Sequence, residues 1–342
     1  MLRQYYLDSA TFMAEPTASP ATLIHKPGVL ALIAFDQPCL EPTEPGIVPI
    51  GIPSLCGKAY EVIEYGDKLA ERGSSDACQW SKIDDVFCAA TWISPEACAD
   101  IETATEAAYS RLFRLINSAG FPYPFRIWNF MPKINVGEGD QEEYKKFCVG
   151  RLRAFSQLDL SQQQFPAASA LGIHHSENSA QGAVIYLLAT RTPGQHHENP
   201  RQQPAYQYPR EYGPSSPSFA RATSLSLQSQ RPIFISGTAS IIGHDTKACG
   251  NLQEQLEITL DNIRYLLASI DPQASALSAI RVYLRHAEDL LAAQDYLYQQ
   301  FSPDDINIVH ADICRANLLV EIECVANTFS QDHAQTHTQV QA

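Results

Sequence analysis

Residues 251–270 read NLQEQLEITLDNIRYLLASI, and the fold of the C-terminal half turns on what this stretch must be. Leu256, Leu260, Ile263 and Leu267 recur at helical spacing, while Glu254, Glu257 and Asp261 lie elsewhere around the axis, so the stretch predicts an amphipathic helix. Working outward, PIFISGTASI (232–241) precedes it as a strand, with a glycine where the backbone must turn or approach something closely. LSAIRVYLRH (277–286) follows as a strand, AEDLLAAQDYLYQQF (287–301) as a second helix, and a terminal hairpin ends in Leu318–Ala326. Strand, helix, strand, helix, strand implies an α+β sandwich with helices covering one face of a sheet.

The terminal strand poses a chemical question. Glu321 and Glu323 sit two apart in it, and alternate strand side chains share a face. Two carboxylates on one face of a buried strand call for something there that uses one. The expectation is that one of them works and that the other is an ordinary strand residue reaching solvent.

The N-terminal half offers GVLALIAFD (28–36) as a strand and a Pro/Gly-rich loop over 39–56. A helix follows over 98–120, with Ile101, Ala104, Ala108, Leu112 and Leu115 on one face and Gly120 as its stop. PFRIWNFMPKIN (124–135) is a strand by its aromatic and β-branched content, and YKKFCVGRLRAF (144–155) is helical. LSQQQFPAAS (160–169) is the expected linker, giving domains 1–165 and 166–330 and a polar, disordered tail 331–342. QGAVIYLLAT (181–190) opens the second half as a buried strand. The irregular run 191–219 is dense in Pro, Tyr and Arg; a run of that length is functional or disordered, and its aromatics favour function.

Composition narrows the function classes. The 342 residues carry a formal net charge of −14, which argues against nucleic-acid binding. No apolar run reaches membrane-spanning length, and the opening MLRQYYLDSATFM lacks the apolar core of a secretory signal. Nine cysteines without regular spacing fit reduced thiols and a cytoplasmic protein. The pairs His174–His175 and His196–His197 have no carboxylate at ligand spacing, so neither a metal nor another cofactor is expected.

The motif order YGPSSPSFARA, PIFISGTASI, NLQEQLEITLDNIRYLL and VEIECVA resembles the RidA (YjgF) family of small α+β proteins. A closer resemblance spans almost the whole chain. FRIWNFMPKIN, YKKFCVGRLRAF, ENPRQQPAYQYPREYGPSSPSFARA and CRANLLVEIE are similar to the chorismatases, two-domain relatives of RidA. That resemblance implies two RidA/YjgF-like (chorismate-mutase-like) domains, each a mixed sheet with helices on one face, in a pseudo-trimeric arrangement. It also implies removal of pyruvate from the small molecule chorismate by a monomer or weak homo-oligomer.

Such chemistry needs cations for two carboxylates and an acid that protonates the enol-ether methylene carbon. Arginine suits carboxylates because its planar fork binds them in bidentate fashion. Arg151, Arg201 and Arg221 are the leading candidates, ahead of Arg126 and Arg210, with Tyr144 and Tyr212 ahead of Tyr206 and Tyr208 as donors or ring contacts. An acid that protonates carbon must hold its proton near neutral pH, and Leu318, Leu319, Val320 and Ile322 provide an apolar setting for Glu321. The resemblance makes Glu321 the general acid and leaves Glu323 as the strand residue reaching solvent. It puts Cys314, seven residues earlier, where the 3-hydroxybenzoate-forming type has cysteine, and Ala239 in the pocket wall, where that type has glycine. This mixed pair fits the xanthomonadin-type enzymes that release 3- and 4-hydroxybenzoate, the latter a ubiquinone precursor, and the N-terminal half and the His/Gln-rich tail most resemble that type. The rivals are a chorismate hydrolase, a RidA-like imine deaminase and a non-catalytic sensor of aromatic or keto acids. Against the deaminase, INIVHADIC (306–314) has no arginine for a substrate carboxylate.

Overall fold

The computed structural model describes residues 1–8, 10, 19–158, 164–174, 181–227, 230–272, 274 and 276–329. The expected tail lies outside them. The first ten strands, in chain order, are β1 (Leu2–Asp8), β2 (Val29–Ala34), β3 (Ile47–Pro49), β4 (Lys58–Tyr65), β5 (Glu71–Ser75), β6 (Cys78–Ile83), β7 (Val86–Ile93), β8 (Tyr123–Pro132), β9 (Ala167–Ile173) and β10 (Ala183–Thr190). The rest are β11 (Gln195–His197), β12 (Ala222–Ser224), β13 (Gln230–Ala239), β14 (Ile241–Ile242), β15 (Asp245–Thr246), β16 (Leu277–Leu284), β17 (Ile306–His310), β18 (Asp312–Ile313) and β19 (Val320–Phe329). Among the described residues, four helices longer than one turn are α1 (Ile101–Ser118), α2 (Glu143–Ser156), α3 (Leu252–Ile270) and α4 (Leu290–Leu297). No described helix is long and apolar enough to cross a membrane.

The strands make three large sheets: β1-β4-β2-β3, then β18-β9-β8-β10-β7-β6-β5, then β11-β12-β13-β19-β16-β17. Strand alternation shows how they meet. In β10, Ile185 and Leu187 face the cluster under α1 and α2, while Val184, Tyr186 and Leu188 face a second cluster. That second cluster also takes Leu30, Ile33 and Ile63 from the four-stranded sheet and Phe234, Tyr283 and Val309 from the six-stranded one. All three sheets therefore share one central core, and α1/α2 and α3/α4 cover the outer faces of two of them.

Local chemistry sets the helix ends. The Asp100 side chain accepts from the Thr103 amide to start α1, and Gly120, at φ +78°, follows its last turn in a conformation that favours glycine. Asn251 caps α3 by accepting from the Glu254 amide, and Leu256, Leu260, Ile263 and Leu267 are buried, as their spacing predicts.

Three expectations change. The boundary at 165/166 cuts through the seven-stranded sheet, because β9 pairs in parallel with β8 and β10 lies between β8 and β7. Of the expected linker, residues 160–163 lie outside the described residues, and Ala167–Ser169 already belong to β9, whose seven residues are all buried. The terminal hairpin is absent: β17 lies parallel to β16 at the sheet edge, and β19 inserts between β13 and β16.

Candidate active site

The inner strand β19 carries the site. Val320, Ile322, Cys324 and Ala326 point outward beneath α3 and α4, so Glu321 and Glu323 share the inward face. Both are 4% exposed. Glu323 is thus no solvent-facing residue, and its surroundings explain why.

Glu323 lies opposite Arg281 on β16. Arg126 donates to its Oε2 at 2.6 Å, Ser169 Oγ to the same oxygen at 2.6 Å, and Trp128 Nε1 to Oε1 at 2.8 Å. Arg281 Nη1 stands 3.3 Å from Oε1, and Arg281 also pairs with buried Glu61. Burial alone would push the Glu323 carboxyl up, but Arg126 and Arg281, with the Ser169 and Trp128 hydrogen bonds, hold it below the ordinary carboxylate value. The candidate Arg126 is therefore committed to the protein's own carboxylate.

Glu321 has the opposite environment. No hydrogen bond or ion pair to its carboxyl is made among the described residues, and burial, reinforced by the charge of Glu323, pushes it up to about 8. Arg126, Arg221 and Arg285 pull the other way without cancelling the effect. The neighbouring strand makes room for it. Between Ile235 and Thr238, β13 bulges against β19, and a Cβ on Gly237 would sit 1.9 Å from Glu321 Oε1. The close approach expected of that glycine is an approach to this carboxyl.

Glu321 opens into a cavity of about 710 Å³ between the six-stranded sheet and the β9/α2 end of the seven-stranded one. Arg151 on α2 is 1% exposed, its Nε and Nη2 have no partner among the described residues, and its guanidinium lies over the Phe147 ring. Arg221 is 2% exposed; its Nη2 donates to the Gln203 carbonyl and Tyr208 Oη, and its Nε is free of any described partner. Buried donors without acceptors are costly in a folded protein, so these groups are poised for an anionic ligand.

Cys314 lines the same cavity, and burial, with Glu321 adding to it, pushes its thiol up to about 12; it is a neutral S–H. Tyr144, raised well above the ordinary phenol by burial, and Ala239, opposite Glu321 in the sheet register, complete this part of the wall. Tyr212 lines the mouth, with its hydroxyl 3.4 Å from His244 Nδ1.

Of the expected residues, Glu321, Cys314, Arg151, Tyr144, Tyr212, Arg221 and Ala239 converge on this cavity. Arg201 does not. It lies 4.7 Å over the Tyr265 ring and 3.7 Å from Asp261, both on α3, and does not line the cavity. Arg210 is exposed and forms a bidentate pair with Asp140 at 2.9 and 2.6 Å. His196 and His197 are bonded to Thr223 and Ser224, and no described group of three or more His, Cys, Asp or Glu is placed to hold a metal. His175 lies outside the described residues.

Arg315 is a cation that sequence reasoning missed, as it missed Lys145 and Lys247 in the same lining. It lines the cavity, spans the Tyr212 ring at 4.1 Å, donates through Nη1 to the His244 carbonyl, and leaves Nη2 buried without a described partner. Its place in CRANLL, directly after Cys314, was the available signal. Asn135 was missed too; its Oδ1 accepts from Arg285, and its buried Nδ2 has no described partner.

Fold and site together define a mixed α+β protein with a protonated carboxyl facing buried guanidinium groups, equipped for acid chemistry on a small anionic molecule. Residues 63–189 match the family described as "Chorismatase FkbO/Hyg5-like, N-terminal". A 3-hydroxybenzoate synthase of Streptomyces hygroscopicus is 36% identical over 316 residues, covering 87% of this chain and 91% of its own. A chorismatase of Streptomyces rapamycinicus is 33% identical over 276 residues, 75% of this chain and 78% of its own. A chorismatase crystal structure superposes with a TM-score of 0.81 at 28% identity, covering 95% of this chain and 98% of that one. The chain belongs to the chorismatase family.

Proposed function

We propose that the protein converts chorismate into pyruvate and hydroxybenzoate, releasing the 3- and 4-hydroxy isomers, with Glu321 as the acid. The observation that carries this reading is the uncharged, hydrogen-bond-free Glu321 carboxyl in a cavity lined by Arg151, Arg221 and Arg315. Free N–H groups on these arginines bind the ring and enolpyruvyl carboxylates. Glu321 gives its proton to the methylene carbon of the enol ether. The C4 hydroxyl then attacks C3, the C3–O bond breaks, the ether oxygen departs as the carbonyl of pyruvate, and the hydroxyl proton returns to the Glu321 carboxylate. The arene oxide so formed opens and loses a ring proton as it aromatises. Breaking C4–O leaves the oxygen on C3, and breaking C3–O leaves it on C4. The two products together contain every atom of chorismate, so no water is consumed. Cys314, a neutral thiol beside Glu321, favours attack by the internal hydroxyl over attack by water and assists the reopening.

The finer parts of this reading follow from the same resemblance. Three sheets around one core fit a RidA-like pseudo-trimer built from a single chain. The enzyme would act in the cytoplasm as a monomer or weak homo-oligomer and supply hydroxybenzoate for a xanthomonadin-type pigment or a ubiquinone precursor. The test is to incubate the purified protein with chorismate and follow pyruvate and aromatic products by chromatography. Pyruvate at no more than the spontaneous rate would overturn the proposal; the hydrolytic diene diol as sole product would overturn only the aromatising step.

A further inference from the structure

The loop between β18 and β19 carries both Cys314 and Arg315, and it is wrapped around a single side chain that does not itself line the cavity. Arg285, just beyond the end of β16, donates through Nε to the Leu318 carbonyl at 2.7 Å and through Nη2 to the carbonyls of Ile313 and Arg315, both at 2.9 Å. Its Nη1 reaches Asp312 Oδ1 at 2.8 Å and Asn135 Oδ1 at 3.1 Å. The Arg285 amide donates to the Leu319 carbonyl at 3.0 Å. The carbonyls on either side of Cys314 are thus held by one guanidinium nitrogen, and the far end of the loop by the same residue.

We propose that Arg285 is a positioning residue that sets the place of Cys314 in the cavity and so controls how the product is partitioned. This rests on the reading of Cys314 given above. A loop whose carbonyls turn inward must find donors for them, and a planar fork with five N–H groups supplies them in fixed directions. Lysine retains the charge but offers three donors from one point, and it cannot span acceptors from Ile313 to Leu318. The clamp also reaches Asn135, just beyond β8, and so ties Arg285, which follows β16 of the six-stranded sheet, to a residue of the cavity wall that follows β8 of the seven-stranded one.

The experiment compares product profiles from chorismate for the wild type, Arg285→Lys, Asp312→Asn, Cys314→Ala and the double variant Arg285→Lys/Cys314→Ala. Displacement by an ångström slows positioned chemistry on the order of 100-fold. Arg285→Lys is therefore expected to lower the hydroxybenzoate-to-diol ratio about tenfold or more, in the direction of Cys314→Ala. The double variant should show no further loss, because both changes act through one thiol. Asp312→Asn weakens the clamp while leaving its backbone bonds, and should move the ratio the same way by a smaller factor. Circular dichroism establishes which variants fold, and if Arg285→Lys does not, Asp312→Asn decides alone. A wild-type ratio in the folded clamp variants, with Cys314→Ala shifted, overturns the role of Arg285 and spares that of Cys314. A wild-type ratio in Cys314→Ala overturns the Cys314 reading itself, and the role of Arg285 with it.

Discussion

Glu321 and Glu323 are two residues apart on one face of one strand, equally buried, and chemically opposite. Glu323 is met by two guanidinium groups, a hydroxyl and an indole N–H, and stays ionised. Glu321 is met by the bare backbone of a bulged strand and an open cavity, and stays protonated. Burial penalises both charges; what separates them is which neighbours were provided to offset it. Two carboxyls forced apart in this way are the pattern by which acid and structural roles are divided at neutral pH.

The comparison breaks most sharply at Glu321. Glu321→Gln keeps the shape and removes the proton, so turnover of chorismate should fall on the order of 1,000-fold, within the range for a lost general acid. A variant retaining a tenth of wild-type activity would remove Glu321 from its role. The same variant tests the linkage. Because the folded protein holds this carboxyl at about 8 against an ordinary 4.5, its contribution to stability is full below about 4.5 and is lost as pH climbs to about 8. Melting temperature against pH should therefore be flatter over that interval in Glu321→Gln than in the wild type.

Gly237→Ala asks whether the bare strand beside Glu321 matters. Its φ is ordinary, so the added methyl disturbs the site by contact, 1.9 Å from the acid oxygen. Overpacking of this kind costs about 1–3 kcal/mol of stability, and the displaced carboxyl should slow turnover on the order of 100-fold. Thermal melting and steady-state rates on the same preparation separate the two; full activity would show that Glu321 tolerates displacement.

Much of this division was legible in the sequence, and the part that was not has a clear cause. Period-two alternation placed both glutamates on one face, and the glycine in PIFISGTASI announced a close approach. Nothing in VEIECVA shows that Arg281 from β16 and Arg126 from β8 arrive at the second glutamate, because strand pairing across 42 residues and the packing of one sheet on another across 197 leave no local trace. The same blindness misplaced the domain boundary: β9 and β10 read as the start of a second half because only their partners, β8 and β7, reveal which sheet they complete. Arg315 was overlooked next to the more conspicuous Cys314, while Arg201 attracted notice from the density of its surrounding motif.

Glu323→Gln exchanges the held charge for a neutral amide and leaves buried Arg126 without its counter-charge, while Arg281 keeps Glu61, which should cost about 3–5 kcal/mol of stability. Its effect on catalysis has a definite sign. Glu323 repels the ionised form of Glu321, so without it Glu321 gives up its proton more readily. Activity requires the protonated form, and the alkaline limb of the kcat/KM profile should move to lower pH. A limb that stays in place would show that burial alone sets the acidity of Glu321.

The smallest effect is expected at Arg201, and its smallness carries information. Arg201 and Arg151 are equally plausible carboxylate ligands by residue type, but one rests on Tyr265 and Asp261 of α3 and does not line the cavity, whereas the other lines it, buried, with Nε and Nη2 lacking a described partner. A partly exposed ion pair contributes little, so Arg201→Gln should leave kcat/KM within about threefold of wild type, in keeping with the small effects of most surface substitutions. Arg151→Gln removes charge-assisted hydrogen bonds of roughly 2–3 kcal/mol and should lower kcat/KM on the order of 100-fold. Measured side by side under saturating and subsaturating chorismate, the pair distinguishes an arginine that meets substrate from one that only shares its motif; equal losses would mean that the long segment between β10 and β12 rearranges to bring Arg201 into the cavity when chorismate binds.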